Sequence, residues 1–538
     1  MSAKGYAYII IGSGVAGSTI ATKLLEADAQ TPILMLEAGS MVPMKDRRYW
    51  WDYIINRRRG YKPYNQCEDR DVDNPSVGNT PWHSRGSRTI MYGGSTAHWG
   101  GWCMRFKPED FHLKTNTGKG GDWPYGYDTL EPYYCRADEY LSVCGDDDDP
   151  WRSKPYPLPP YPLTESDGEM IEAFDRLELP WNPMPIARYR KCMATGSCKY
   201  CPFGARFSGS YVLDDLLGEP KYTNLEFIGE APVTRLIADS RRKIGSVEYL
   251  DPASGGTKIA HGDRIIVCSG AYEAPKLLMA STSDYWKRGI GNDHDLVGRY
   301  VISHPFLSVS GTLPRNKEGW FQQYDFPSLM SRAYDTEKDQ KTDGKIFMMK
   351  YSGAPNVDIA QHMIEGKTRE EIDAIVTGPR MVQISAFMEE MGQYENRFSI
   401  GEGTTRFGLP RTSIEFSHPE DFRKRAFNNL EKMTEIIEEM GYQVDRTVDE
   451  KDENYERYRK DHPNQKDRKI GTQDGHHTSS TCRMGRDPTE GVVDADLKVF
   501  DTDNLYVCSN AAHPTCAAVN PTLTLVAVTL KLTDHLLS

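Results

Sequence analysis

Residues 8–39, YIIIGSGVAGSTIATKLLEADAQTPILMLEAG, restrict the fold more than any other stretch of the sequence. Residues 8–11 are a short apolar run rich in β-branched side chains, suited to a strand buried on both faces. Gly12, Gly14 and Gly17 follow as G-x-G-x-x-G. The first glycine permits a tight turn, the second lets a pyrophosphate approach the backbone, and the third lets the next helix pack close to the strand. Residues 18–27 have helical spacing, and the start of that helix offers free N–H groups and a positive dipole end to phosphate. Residues 33–36 form a second apolar run, ending at Glu37. That carboxylate stands about 20 residues beyond the last glycine, where it can accept from ribose hydroxyls. A dinucleotide-binding α/β unit is therefore expected at the start of the chain.

The chain has 538 residues, too many for one simple core, so two or more domains are expected. The net charge of −12 argues against a surface for nucleic acid or anionic lipid. An acidic run at residues 146–149 reads as a solvated loop. No apolar run approaches the length of a membrane span. The sequence enters its first strand without a charged–apolar–small pattern, so no export signal of its own is expected. The 11 cysteines are unevenly spaced and do not suggest a disulfide framework.

Residues 41–87 lack periodicity and read as a surface excursion. Residues 88–102, RTIMYGGSTAHWGGW, carry Gly93, Gly94, Gly100 and Gly101. Such glycine density excludes a regular element and marks backbone lying against something flat or bulky, which in a flavoprotein would be the flavin. A turn without ligand would share the pattern. Residues 191–208, KCMATGSCKYCPFGARFS, hold C-x5-C-x2-C-P. Three close thiolates suit an iron–sulfur cluster, whereas zinc would want a fourth ligand nearby. A redox C-x-x-C pair or unpaired buried cysteines would give the same spacing.

Residues 225–251 alternate as a strand pair, and 264–279 repeat the strand–turn–helix pattern. Residues 297–305, VGRYVISHP, read as an exit from the nucleotide-binding sheet. Residues 306–469 change character: short strands at 397–400 and 412–416 and a charged helix at 421–440 suggest a sheet-plus-helix lobe over the cofactor. His294, His304 and His362, in or beside this lobe, read as structural or exposed histidines. Residues 475–485, GHHTSSTCRMG, and 504–538 return to chemistry, with Pro521 opening a long helix.

Three blocks, IIIGSGVAGS with EAG, GGSTAHWGG, and HTSSTCRMG followed by NPTLT, resemble in content and order the glucose-methanol-choline (GMC) family of flavin oxidoreductases. The resemblance implies an α/β fold: a Rossmann-like FAD-binding domain plus a sheet-and-helix substrate-binding domain. It divides the chain into FAD-binding parts at 1–115, 211–302 and 470–538, a connecting region with the cysteine cluster at 116–210, and a substrate-binding domain at 303–469. It implies FAD held by Gly12, Gly14, Gly17, Glu37, Gly93 and Gly94, with Val233 toward the adenine end and Asn510 toward the flavin end. His98 occupies a position from which some pyranose oxidases bond the flavin covalently; other sugar dehydrogenases have a histidine near here without that bond.

Within the family the sequence looks most like the FAD subunits of dye-linked sugar dehydrogenases (fructose, glucose, gluconate and glucoside 3-dehydrogenases), with pyranose and glycoside oxidases as near relatives. The block at 198–205 resembles their three-iron cluster segment, which implies a 3Fe-4S cluster on Cys192, Cys198 and Cys201. The family's catalytic base falls on His477, with His476 as rival, and its second catalytic residue on Asn520. His513 lies on the same turn and could touch substrate or flavin. The expected activity is oxidation of a secondary hydroxyl of a sugar or glycoside, at C3 of a glucoside by preference, with electrons leaving through the cluster to an external acceptor. Alternatives are an oxygen-using pyranose or glycoside oxidase and a flavin electron-transfer subunit without alcohol chemistry. Relatives of the dehydrogenase type imply a small helper subunit, a cytochrome c-type acceptor and periplasmic export as a complex; a cytoplasmic enzyme is the plain reading of the missing signal.

Overall fold

The computed structural model describes residues 5–42, 77–78, 82, 88–146, 150–188, 204–313, 326–351, 362–363, 365–405, 408–444 and 476–538. The chain begins with strand β1 (Gly5–Ile11), helix α1 (Val15–Ala27) and strand β2 (Ile33–Leu36). The apolar runs become central strands because both faces are covered: Ile9, Ile10, Ile33 and Met35 are wholly buried. The glycines between them are forced by contact. A Cβ on Gly12, at φ +101°, would meet the Cys268 carbonyl oxygen at 2.8 Å, and one on Gly17 would meet the Gly12 carbonyl oxygen at 2.1 Å. A Cβ on Gly14 would meet nothing within 4 Å, because that side opens into a cavity.

Seven strands form the first sheet, ordered Leu225–Ile228, β2, β1, β3 (Thr257–Val267), Ile244–Leu250 and Val233–Ala238, with β4 (Leu505–Val507) also pairing with β3. The strands at its centre are parallel, and the strand pair expected at 225–251 is three strands, of which two form an antiparallel extension of β3. Helix α2 (Gly270–Ala280) follows β3 across the turn at Cys268–Ser269. The final helix (Thr522–Leu537) packs on α1 and on the helix Tyr127–Leu141, so the end of the chain closes the fold begun at its start.

The second sheet has six antiparallel strands: Gln443–Val444, Phe306–Leu313, Arg380–Met388, Ile346–Tyr351, Leu329–Ser331 and Asn182–Pro183. Its period-2 alternation divides two cores. Ile346 and Met348 face the helix Phe422–Glu439, whose Phe422, Ala426, Leu430, Met433 and Ile437 form one apolar stripe. Phe347 and Met349 face the core of the first sheet. The strand signals near 397 and 412 are real but do not join this sheet. Arg397–Thr404 and Pro410–Glu415 form a separate hairpin against α2, because the carbonyl of Gly298 accepts from the Phe398 amide and draws the hairpin to the nucleotide-binding side.

Candidate active site

A cavity of about 770 Å³ runs between the two sheets, from the glycine turn, Glu37 and Val233 at one end to His477 and Asn520 at the other. At the first end Glu37 is 5% exposed and firmly held. One carboxylate oxygen accepts from the Ser13 amide (2.9 Å) and hydroxyl (2.7 Å), the other from the Gly39 amide (2.8 Å). Burial pushes its carboxyl upward and these donors oppose the shift. Beside it, Val233 and Thr234 line the wall, and the hairpin contributes Leu409 and Pro410. Lys276 secures that hairpin by donating to the Pro410 carbonyl at 2.6 Å.

The Gly-rich loop forms the middle wall. Gly93 and Gly94 have φ +81° and +57°, and a Cβ on Gly94 would come within 2.9 Å of the Gly14 Cα, so the two glycine turns touch. Ser13 bridges them by accepting from the Gly93 amide at 3.2 Å. Arg206, which also lines the cavity, ties the loop by donating to the carbonyls of Ala97 (2.6 Å) and Trp99. His98 lines the cavity.

The polar atoms of this cavity fit a large polar ligand. The Thr89 and Ser269 hydroxyls and the side-chain oxygens of Asn510 and Asn520 are buried, line it, and have no hydrogen-bond partner among the described residues. Unpaired buried polar groups are costly, so such a set marks a binding surface. With Glu37 at the ribose position and Gly14 open toward the pyrophosphate position, the residues present fit FAD.

At the second end His477 sits at φ +52°, in the left-handed region, on the loop that follows residue 475. Its Nε2 lies 2.9 Å from the Asn520 amide nitrogen, and its Nδ1 lies 3.0 Å from Nδ1 of His304. The Ser479 hydroxyl donates to its carbonyl at 2.9 Å, and the Phe387 ring stands 4.6 Å from the imidazole, centre to centre. Burial, reinforced by His304 and His476, holds His477 well below the ordinary histidine range, so it is neutral at physiological pH. His476 also lines the cavity, near Phe306 and Phe387. Asn510 lies on the same wall, in a short 3-10 turn started by Ser509.

The structure thus gathers Gly12, Gly14, Glu37, Gly94, His98, Val233, Asn510, His477 and Asn520 around one cavity. Gly17 and Gly93 support the turns behind it. His513 does not line it. Its ring is fully buried among Phe106 and Trp123, and burial pushes it down to about 3. His304, expected from the sequence to be a structural or exposed histidine, is buried and stands against His477, and Arg206 and Phe387 were not singled out from the sequence. Cys192, Cys198 and Cys201 lie outside the described residues. Among the described residues no group of three or more Cys, His, Asp or Glu could hold a metal ion. Among the same residues no helix is long and apolar enough to cross a membrane.

A parallel sheet with a glycine turn at its switch point, and a buried histidine at the far end of the same cavity, define a nucleotide-cofactor oxidoreductase. The GMC oxidoreductase sequence profile matches residues 6–306 in its N-terminal part and 394–529 in its C-terminal part, so the chain belongs to the GMC oxidoreductase family. It is similar to the fructose dehydrogenase large subunit of Gluconobacter japonicus, 26% identical over 98% of this chain and 97% of the relative. It is also similar to paromamine 6'-oxidase of Streptomyces fradiae, 25% identical over 97% of this chain and 90% of the relative. The fold matches the crystal structure of pyridoxine 4-oxidase from Mesorbium loti with a TM-score of 0.66 at 20% identity, covering 98% of this chain and 99% of that one. A formate oxidase matches with a TM-score of 0.67 at 15% identity, covering 99% and 98%. The chain is therefore an FAD oxidoreductase of the class that acts on CH–OH groups.

Proposed function

We propose that this protein is a dehydrogenase that oxidises a secondary hydroxyl of a sugar or glycoside, with C3 of a glucoside as the first position to test. The observation that carries this reading is His477 Nε2 at 2.9 Å from the Asn520 amide nitrogen, at the head of a cavity that fits FAD. Bound FAD supplies a two-electron hydride acceptor. The chain supplies the rest. His477 Nε2 accepts the hydroxyl proton as the carbinol C–H bond breaks. An amide nitrogen has only donors, so Asn520 donates to His477 Nε2 before substrate enters, and its second N–H remains for the substrate oxygen. Phe306, Phe387 and Trp102 line the same end, and their rings exclude water and offer flat surfaces to a sugar's C–H face.

The similarity to the fructose dehydrogenase large subunit and the C-x5-C-x2-C-P block support an acceptor other than oxygen. Cys192, Cys198 and Cys201 would hold a 3Fe-4S cluster, whose chemistry is one-electron transfer. A small helper subunit, a cytochrome c-type acceptor and periplasmic export of the complex belong to the same proposal. The similarity to paromamine 6'-oxidase favours a second reading, in which oxygen takes the electrons. Iron content with a low-temperature EPR spectrum, and oxygen uptake during turnover, separate the two. About three irons per chain with slow oxygen uptake supports the dehydrogenase; iron-free protein with rapid uptake supports the oxidase.

The direct test is anaerobic mixing of the FAD-loaded enzyme with methyl β-D-glucopyranoside, D-glucose and D-fructose while flavin absorbance is followed. Bleaching is expected with at least one of them. His477→Ala should slow it by about 10²–10⁴-fold, the usual contribution of a positioned base. Unchanged bleaching in that variant would reject His477 as the base.

A further inference from the structure

His304 enters the site on residues 297–305, 173 positions before His477 in the chain. We infer that it is a positioning residue, which fixes the proton of His477 on Nδ1 and leaves Nε2 bare to face the substrate. The inference rests on the reading of His477 as the base.

The argument is a count of hydrogens along one chain of contacts. His304 Nε2 lies 2.8 Å from the carbonyl oxygen of Ala517. A carbonyl only accepts, so Nε2 of His304 carries a hydrogen. His304 is 0% exposed, and burial pushes it down to about 4, so it is neutral at physiological pH and has no second hydrogen. Its Nδ1 therefore presents a lone pair. Two Nδ1 atoms 3.0 Å apart share one hydrogen, which must belong to His477. Neutral His477 then has its own lone pair on Nε2, where the Asn520 amide nitrogen already sits as a donor. Both ends agree on one tautomer. During reaction the hydroxyl proton moves to Nε2 as the hydride leaves the carbinol carbon, and the imidazolium keeps its Nδ1–H donated to His304.

The backbone holds this array in place. His477 and Ala517 both occupy the left-handed region, at φ +52° and +51°, a conformation that costs non-glycine residues free energy and persists where surrounding contacts impose it. Phe387 lies against both rings, 5.6 Å from His304 and 4.6 Å from His477. The titratable groups acting on the pair are His304 and His477 themselves and His476, which disfavours a positive charge on either ring.

The test is the tautomer itself, read by long-range ¹⁵N–¹H NMR of histidine-labelled, FAD-loaded protein. His477 should show hydrogen on Nδ1 in the wild type. His304→Asn places an oxygen near the Nδ1 position and should keep that tautomer. His304→Phe fills the space without an acceptor and should give a mixed or Nε2-protonated His477. In turnover on whichever probe sugar bleaches the flavin, His304→Phe should lower kcat by about 10–100-fold with KM changed less than about twofold, and His304→Asn should recover most of that loss. Hydrogen on Nε2 of His477 in the wild type would overturn the inference. So would a His304→Phe variant with unaltered tautomer and kcat. If no probe sugar reduces the flavin, the sugar reading fails while the wild-type spectrum still decides the role of His304. That spectrum also stands if a variant does not fold.

Discussion

Asn520 does two things that a charged residue in its place could not. Its amide donates to His477 Nε2 at 2.9 Å, and it adds no charge to a buried neutral imidazole. Asn520→Asp would put a carboxylate at the same distance. An adjacent negative charge favours the imidazolium, so the pKa of His477 rises, by about 1–3 units for a close pair. The base is lost when it is protonated, so the acid limb of the kcat/KM profile should move up in pH by that amount. A profile superimposable on that of the wild type would show that Asn520 does not touch the base. At this scale the meeting of His477 and Asn520 at one cavity was legible from the resemblance of their two sequence blocks to the family's. His304 was not. Nothing within residues 297–305 announces a partner 173 positions away, and a buried histidine reads the same from sequence whatever it touches. Arg206 was hidden for a similar reason: it sits four residues past a proline and binds the backbone of a loop more than a hundred positions earlier.

At the scale of the element, the first turn separates two duties that the G-x-G-x-x-G pattern merges. Gly17 serves the protein, since a Cβ there would press to 2.1 Å on the Gly12 carbonyl oxygen. Gly14 serves the ligand, since its Cβ would meet no protein atom within 4 Å and its φ of −64° suits any residue. Gly17→Ala should therefore destabilise the FAD-free protein, by about 1–3 kcal/mol as for other forced overpacking. Gly14→Ala should leave the melting temperature of the FAD-free protein unchanged and weaken FAD retention at least tenfold. Thermal melts with and without added FAD distinguish the two outcomes; a loss of stability without FAD in Gly14→Ala would contradict the assignment. Element identity was legible wherever apolar period and turn chemistry agreed, as in β1, α1, β3 and α2. Pairing was less so. The strands Arg397–Thr404 and Pro410–Glu415 carry ordinary strand patterns, but whether they join the six-stranded sheet or stand apart is decided by the contact with Gly298, which no local pattern encodes.

At the scale of the molecule, a buried cluster of charge ties the second sheet to the turn that precedes the final helix. Lys345, 0% exposed and one residue before the strand Ile346–Tyr351, reaches Asp110 at 2.7 Å and Glu109 and Asp335 at 3.0 Å. The carbonyl of Asp110 accepts from the Thr515 hydroxyl at 3.0 Å, which links the cluster to the turn carrying Ala517 and Asn520. Glu389, two residues past Phe387, is buried in the same place and accepts from Gln340 at 3.1 Å. Arg332 (2.6 Å) and Lys107 also face Asp335, so the positive charge of the cluster gathers on Asp335 and Asp110 rather than on Glu389. Burial, with Asp110 and Asp335 nearby, pushes Glu389 up to about 8, although Lys345 pulls the other way. The folded state then binds a proton that the unfolded chain releases near the ordinary glutamate value. Its contribution to stability is present in full below that value and is lost as pH rises through about 8. Glu389→Gln keeps the shape and removes the titration, so its melting temperature should fall less than that of the wild type between pH 6 and pH 9. The surface pairs titrate equally in both proteins, so the difference between the two curves reports Glu389 together with the change it imposes on Asp110 and Asp335. A difference that does not vary with pH would mean that Glu389 is ionised throughout. A difference that grows as predicted would mean that Phe387, packed against both active-site imidazoles, is carried on a strand whose end is anchored by a neutral carboxyl.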